Sequence, residues 1–315
     1  MSSIVTITFS PCIDKSTSIP FLISEKKLKC TSPKLEPGGG GINIARAIKK
    51  LGSEAMAIFP SGGYTGQYFN YLMEKENIAT TIIATENETR ENIIVFEEAT
   101  GKQYRFGMPG TELKESEWKQ CLDAIAQLDH PEFIIASGSL PPGMPQDIYA
   151  RVAKIAKNKN AKFIVDTSGD ALKYAAKEGV YLLKPNLEEF RTLTGVKDLN
   201  ITNLEEVAGK YILNANCSII VISLGENGAF LITKNEQYKV HTPIVDRNST
   251  VGAGDSMLAG IVLGLSQGLS LKETLQYGVA CGTAATMNPG TELCHKTDAE
   301  KLFKEIRMNA PVHAI

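Results

Sequence analysis

The sequence predicts an α/β protein, a mostly parallel central sheet with helices on both faces, carrying a small β-sheet lid. Three observations predict it. The chain has 315 residues, 43% of them hydrophobic, and at about 150 residues per domain that allows two domains or one large one. Along most of its length β-branched runs alternate with helix-patterned segments, the pattern of parallel strands joined by crossover helices. Two stretches, about 15–36 and 89–108, break that rhythm with short extended segments. With no internal repeat, low-complexity tract or linker, the chain reads as one domain, 1–315, whose lid is formed by those two insertions.

Ile4 to Phe9 is a β-branched run ended by Ser10-Pro11, hence a strand. From Lys15 to Glu36, three prolines and short apolar segments suit an exposed flap of two or three strands. Gly38 to Gly41 open a helix, Ile42 to Leu51, closed by Gly52. Ala55 to Phe59 is a buried strand and Gln67 to Lys75 a helix. Asn92 to Glu98 and Lys102 to Met108 flank Thr100-Gly101 as a hairpin with a two-residue turn. Regular alternation follows. Helices 114–128, 146–157, 170–177, 187–193 and 204–214 are interleaved with strands 133–136, 163–166, 180–183 and 218–223. A second hairpin, 229–241, precedes helices 254–265, 271–287 and 298–307.

Charge and composition exclude several classes. Lys plus Arg number 33 against 35 Asp plus Glu, a net charge of −2, which argues against a nucleic-acid partner. The six cysteines show no C-x-x-C pair and the four histidines no cluster. Reduced thiols and a cytoplasmic location are therefore expected, without a zinc or disulfide framework. The N-terminal stretch lacks a basic leader, and Met257 to Leu265, the longest nearly apolar segment, is far short of the roughly 20 residues a membrane span needs. No membrane association is expected.

Ligands of parallel sheets bind at the carboxyl ends of the strands, so the loops there direct the search. Ser249-Thr250-Val251-Gly252-Ala253-Gly254-Asp255 runs straight into an apolar helix. Glycines admit close backbone approach, and the free N–H groups of a first helical turn attract anions. Asp255, in that turn, is placed to take a proton from a hydroxyl attacking a phosphoryl group. The plainer reading is an aspartate stabilising a helix N-terminus. No P-loop, protein-kinase or G-x-G-x-x-G pattern is present, so a nucleotide would be held by another device.

Asn186 and Glu189 follow a strand and lie three apart, so both project from one side of a first turn. They could hold the water shell of Mg2+, or form a capping box. Ser223, Gly225 and Gly228 offer glycines and backbone donors after the next strand, where an ordinary tight connection is the alternative. Asp14, the Gly38–Gly41 run with Asn43, and Ser137-Gly138-Ser139 face the other way. Asp14 could bind sugar hydroxyls or serve a turn, while four successive glycines favour close approach of a ligand over a flexible loop.

If Thr100-Gly101 is a two-residue turn, paired positions sum to 201 and Arg105 lies opposite Phe96. Arg90 and Arg105 then share a face with Asn92 and Ile94. The opposite face, with Ile93, Val95, Tyr104, Phe106 and Met108, is the better core face. Two arginines on the polar face suggest a clamp for a phosphorylated substrate, against the alternative of two solvated surface cations.

Taken together, Gly38-Gly39-Gly40-Gly41-Ile42-Asn43, Ser137-Gly138-Ser139-Leu140-Pro141, Lys184-Pro185-Asn186 with Glu189, and Thr250-Val251-Gly252-Ala253-Gly254-Asp255 resemble the ribokinase-like (PfkB-type) sugar kinases. The resemblance covers nearly the whole chain. Further stretches, Lys27 to Thr31, Glu36 to Ile48, Gln103 to Phe106 with Met108 to Gly110, and Asn288 with Gly290-Thr291, are similar to family members acting on fructose 6-phosphate. Many kinases of fructose 1-phosphate and tagatose 6-phosphate have Lys where this chain has Gly40.

The resemblance implies a ribokinase-like fold and ATP-dependent phosphorylation of fructose 6-phosphate at its 1-hydroxyl. Tagatose 6-phosphate and fructose 1-phosphate are the alternative acceptors, and a sugar-phosphate sensor is the non-enzyme alternative. It implies Asp255 as base and the amides of Gly252, Ala253 and Gly254 as anion hole. Asp14, Gly39, Gly40, Asn43 and Ser139 would meet the sugar, and Arg90, Arg105 and Lys27 its phosphate, Lys27 acting across a homodimer formed through the lid. Lys184, Asn186, Ser223, Gly225 and Gly228 would line the ATP site, with Asn186 and Glu189 supporting Mg2+. Ser249, Val251, Ala285, Asn288 and Gly290 would surround K+.

Overall fold

The computed structural model describes residues 3–309; Met1 and Ser2, part of the N-terminal stretch read above, lie outside them. In chain order the first elements are β1 (Ile4–Ile7), β2 (Cys12–Ile19), β3 (Lys34–Gly38), α1 (Gly40–Lys50), β4 (Met56–Gly62), α2 (Gly63–Lys75) and β5 (Ala79–Thr85). Then come β6 (Arg90–Glu97), β7 (Lys102–Phe106), α3 (Glu115–Ala126), β8 (Phe133–Ser137), α4 (Ile148–Asn158), β9 (Lys162–Asp166), α5 (Gly169–Glu178) and β10 (Val180–Leu183). The remainder comprises α6 (Leu187–Thr194), α7 (Leu204–Asn214), β11 (Cys217–Ser223), β12 (Ala229–Ile232), β13 (Gln237–Val240), α8 (Ala253–Ser266), α9 (Leu271–Thr286) and α10 (Lys296–Asn309).

Nine strands form one sheet in the order β13-β12-β11-β10-β9-β8-β1-β4-β5, and four form a second in the order β3-β2-β6-β7. The large sheet is parallel from β5 to β11, while β12 and β13 add antiparallel strands at one edge. Side chains alternate across it with the strand period of two. Phe133 and Ile135 of β8 join the core beneath α1, α8, α9 and α10. Ile134 and Ala136 join the core beneath α3, α4 and α5. Ile219 and Val221 divide from Ile220 and Ile222 in the same way on β11. Because both faces are covered, these strands read as continuous apolar runs, which is why they are visible in the sequence.

Four expectations need correction. The hairpin register is Ile94↔Arg105 and Glu97↔Lys102, so paired positions differ by two from the predicted set. Its turn holds four residues because Glu97 anchors it: the Gly101 N–H donates to Glu97 O at 2.9 Å and the Thr100 hydroxyl to Glu97 Oε2 at 2.5 Å. Gly101 takes φ +65° there, which glycine adopts without strain. An even shift preserves faces, so Arg90, Asn92, Ile94 and Arg105 still share one side.

The other side is not a core face within the chain. Val95 is buried there and Tyr104 half-buried, but Ile93, Phe106 and Met108 are 39%, 47% and 42% exposed. The flap before Glu36 begins earlier than expected, at Cys12, and takes the two-strand form of the two the sequence allowed, β2 and β3. Finally, β5 has no counterpart in the sequence reading. Its burial is mixed and mostly exposed, as befits an edge strand, so it lacks the apolar run that reveals its neighbours.

Candidate active site

The loops at the carboxyl ends of β1, β8, β9, β10 and β11 gather between the two sheets, and the N-termini of α1 and α8 point into the same place. Gly252 caps α8 with φ +74°, and a Cβ there would stand 2.4 Å from Leu293 Cδ2. The following amides, in the first turn of α8, have no intrahelical acceptor. At Gly254 an added Cβ would meet only Lys184 Nζ, at 3.6 Å. An ammonium therefore stands beside the main-chain donors, and the pair would hold an anion more tightly than either alone.

Asp255 lies half-buried in that turn and accepts a hydrogen bond from Asn43 Nδ2 at 2.9 Å. Burial and the neighbouring Asp166 charge push its carboxyl up to about 6, against the Asn43 hydrogen bond and Lys184, with a further push from Asp14. A carboxylate so tuned is matched to taking a proton near neutral pH. The Asn43 Oδ1 atom is buried and has no partner, leaving an acceptor that a substrate hydroxyl could satisfy.

Lys184 is 5% exposed and ion-paired with Asp166 at 3.1 Å. Burial opposes its charge, but Asp166, Asp255 and Glu189 outweigh that and hold the ammonium above the usual lysine range. Asp166 itself is pushed up by burial, with Lys184 opposing. The sequence reading missed Asp166, although it ends a parallel strand, where ligand groups concentrate.

The first turn of α6 shows the capping box. The Asn186 N–H donates to Glu189 Oε2 at 2.8 Å, and the Glu189 N–H donates to Asn186 Oδ1 at 2.9 Å. Glu189 keeps its second oxygen, and burial, with help from Asp166, raises its pKa. Among the described residues no three acidic, histidine or cysteine side chains cluster closely enough to hold a metal ion by themselves, so a divalent cation here would have to draw most of its shell from water and phosphate oxygens. The oxygens around Ser249 are engaged within the chain. Thr286 O accepts both the Asn248 and Ser249 N–H groups, at 2.8 and 3.2 Å, and Gly290 O faces the Ser249 hydroxyl at 2.7 Å. These oxygens bring the turn after α9 against the loop before α8.

On the lid side Asp14 is 5% exposed. Asn92 Nδ2 donates to its Oδ1 at 3.0 Å and the Cys12 thiol at 3.3 Å. Burial nevertheless pushes its carboxyl above the usual range. The glycine run serves protein contacts. A Cβ would come 2.3 Å from Asp14 Oδ2 at Gly38, 2.2 Å from Ser137 Oγ at Gly40 and 2.5 Å from Thr8 Oγ1 at Gly41. Gly39 has φ +112°. The chain packs on itself so closely here that side chains are excluded before any ligand is considered.

The two arginines differ. Arg90 donates to Met108 O at 2.8 Å and Ser10 O at 3.0 Å, and so staples the lid to the loop after β1. Arg105 is exposed and reaches across to Thr250 Oγ1 at 2.6 Å. Lys27 stands exposed on the 20–33 connection and pairs with no residue of the site. Ser139 is exposed on the loop after β8. That loop is fixed by Gly138, whose carbonyl accepts from Tyr149 at 3.0 Å and Thr167 at 2.9 Å.

Beyond the anion hole a cleft of about 470 Å³ opens, lined by Ser223, Gly225, Thr242 to Val245, Thr283 and Thr286 among others. Ser223 and Gly225 thus open onto a cleft. Gly228 instead serves its turn, since at φ +93° an added Cβ would lie 1.9 Å from Val240 O. The 242–245 wall went unseen because it is irregular backbone without a motif.

Free first-turn amides, a carboxyl with a raised pKa and a buried lysine, set between a doubly covered sheet and a lid, suit a phosphotransferase of ribokinase-like architecture. The chain belongs to the pfkB family of carbohydrate kinases, whose family model matches residues 5–298. It is 39% identical over 304 residues to the ATP-dependent 6-phosphofructokinase isozyme 2 of Escherichia coli (strain K12), covering 96% of this chain and 98% of that one. Solved structures of the Escherichia coli phosphofructokinase-2 superpose closely. The complex with potassium gives a TM-score of 0.93 at 39% identity, covering 98% of this chain and all of that one. The complex with fructose 6-phosphate gives 0.92 at 37%, with the same coverage. The tetrameric inhibited form gives 0.91 at 38%, again with that coverage. Among the described residues no helix is long and apolar enough to cross a membrane.

Proposed function

We propose that this chain transfers the γ-phosphoryl group of ATP to the 1-hydroxyl of fructose 6-phosphate, giving fructose 1,6-bisphosphate. The observation that carries the reading is Asp255, with its carboxyl pushed up to about 6, one residue from the glycine amides and held by Asn43. Asp255 takes the proton of the attacking hydroxyl while the amides of Gly252, Ala253 and Gly254 and the Lys184 ammonium hold the transferring group. Asp14, Asn43 and Ser139, with the bare backbone of Gly39 and Gly40, orient the sugar. Arg105, with Arg90 behind it, receives the sugar phosphate, and Lys27 contributes from a second subunit. Asn186, Ser223, Gly225 and the 242–245 wall receive the nucleotide.

Mg2+, when bound, would neutralise phosphate charge, and Glu189, Asn186 and Asp166 are the residues placed to hold its waters. The backbone oxygens around Ser249, Val251, Ala285, Asn288 and Gly290 would take K+. The exposed outer face of the lid, with Ile93, Phe106 and Met108, supports pairing with the lid of a second copy in a homodimer. We take the chain as one unit whose lid comes from the insertions near 15–36 and 89–108. Six free cysteines support a reducing, cytoplasmic setting.

The test is ADP release from MgATP with fructose 6-phosphate, tagatose 6-phosphate, fructose 1-phosphate, fructose and ribose, with Asp255→Asn as blank. A clear lead in kcat/KM for fructose 6-phosphate is expected. A lead for tagatose 6-phosphate would keep the mechanism and change the acceptor. Turnover with fructose or ribose alone would remove the phosphate-binding roles, and silence with all five would make the protein a sensor.

A further inference from the structure

The Ser249 hydroxyl, in a residue 5% exposed, has its hydrogen-bonding capacity filled. It donates to Gly290 O at 2.7 Å and accepts from the Val251 N–H at 3.1 Å and from Gln103 Nε2 at 3.2 Å. A hydroxyl has one proton to give and two lone pairs, so this set is complete and fixes the rotor. Its partners come from three places: the lid, the approach to α8, and the turn after α9. Gln103 lies on the inner face of the lid strand β7. Its Oε1 accepts from Arg105 Nε at 3.4 Å, while Arg105 holds Thr250. Two neighbouring side chains of one lid strand thus grip two consecutive residues just ahead of the anion hole.

We propose that Gln103 is a positioning residue for phosphoryl transfer. From the lid it sets the Ser249 hydroxyl, and through it the Val251–Gly254 backbone. The anion hole therefore reaches its working geometry when the lid is seated over the acceptor. The inference rests on the kinase reading above. Transition-state donors are sensitive to placement, so a small shift of this backbone falls on kcat. Gln103 touches neither the sugar nor the nucleotide in this scheme. Its loss should leave ATP binding in place.

The experiment uses Gln103→Glu, Gln103→Leu, Ser249→Ala and the double variant Gln103→Glu/Ser249→Ala. Glutamate keeps the acceptor facing Arg105 but loses the N–H that Ser249 receives. Both Gln103 variants should lower kcat about tenfold with KM for ATP within about twofold. The double variant should be no slower than Ser249→Ala, because the effect passes through that hydroxyl. Full kcat in Gln103→Glu, or effects that multiply in the double variant, would overturn the proposal. The same cycle read by thermal unfolding without substrate should show non-additive shifts, and additive ones would overturn the contact itself. A wild-type protein inactive on every ketohexose phosphate would instead sink the kinase reading, and is distinguished by being inactive before any substitution.

Discussion

Asn43 and Asp255, 212 positions apart in the chain, meet at 2.9 Å, with Nδ2 donating to Oδ2. The bond joins the first turn of α1 to the first turn of α8, so the residue we propose to meet the sugar and the one we propose to take its proton are fixed to one another. Asp255→Asn keeps an acceptor for Asn43 but cannot take a proton. It should lower kcat by a factor on the order of 10² or more while leaving ATP affinity unchanged. Steady-state kinetics with nucleotide binding by calorimetry check this, and near-normal turnover would refute the assignment of the base.

The same carboxyl sets a pH dependence. With its pKa pushed up to about 6, the fraction able to accept a proton falls as pH drops through that value. We predict that kcat/KM for the acceptor is level above pH 7 and declines about tenfold per pH unit well below 6. A profile still level at pH 5 would show that another group takes the proton.

A stability effect of defined sign follows from that shift. The folded protein binds the Asp255 proton more tightly than the unfolded chain, so this residue favours folding below the unfolded value of 3.8. That contribution is lost as pH rises to about 6 and does not return above it. Asn cannot ionise. Asp255→Asn should therefore melt higher than the wild type at pH 7.5, by ~2 °C for a cost on the order of 1 kcal/mol, with the difference closing towards pH 4. Scanning calorimetry at the two pH values decides it, and a variant less stable at pH 7.5 would contradict the sign.

The two lid arginines should separate in their effects. Arg105 is exposed and holds only the Thr250 hydroxyl and, at 3.4 Å, the Gln103 amide oxygen, so Arg105→Ala should raise KM for the sugar phosphate about tenfold or more with little change in melting temperature. Arg90 holds two carbonyls, so Arg90→Ala should raise the same KM and also lower the melting temperature. KM for ATP should move little in either. Equal effects on both substrates would argue against the clamp.

Strands β8 to β11 were legible in the sequence because burial on both faces leaves unbroken apolar runs between helices. Edge strand β5 was not, because most of its positions are exposed and only Ile83 is buried, so no apolar run sets it off. Within the site, Asp255 and the glycine loop were visible as a helix N-terminus carrying a carboxylate, which helix stabilisation alone would explain; the glycine, Lys184 and Ser137 loops together favoured the chemical reading. Glu189 was readable in two ways, and the structure shows the capping box. Asp166 and Gln103 act through partners supplied by tertiary contact, Lys184 and Ser249, and no local spacing signals such pairs. The hairpin register slipped by two because the anchoring of the turn by Glu97 depends on Thr100 and on Leu22, whose N–H donates from a distant segment at 2.8 Å.

The lid is built on a parallel pair, with β2 and β6 in register from Cys12↔Arg90 to Ile19↔Glu97. Parallel strands cannot be joined by a tight turn. What lies between them here is β3 and then α1, β4, α2 and β5, a whole flank of the main sheet. Of the lid's contacts only the β2–β3 and β6–β7 hairpins are local. The chain must therefore close that long loop, at its entropic cost, before β2 and β6 can zip. The lid's central pairing thus spans the whole flank that carries Asn43, and a non-local pairing of this kind is slow to form.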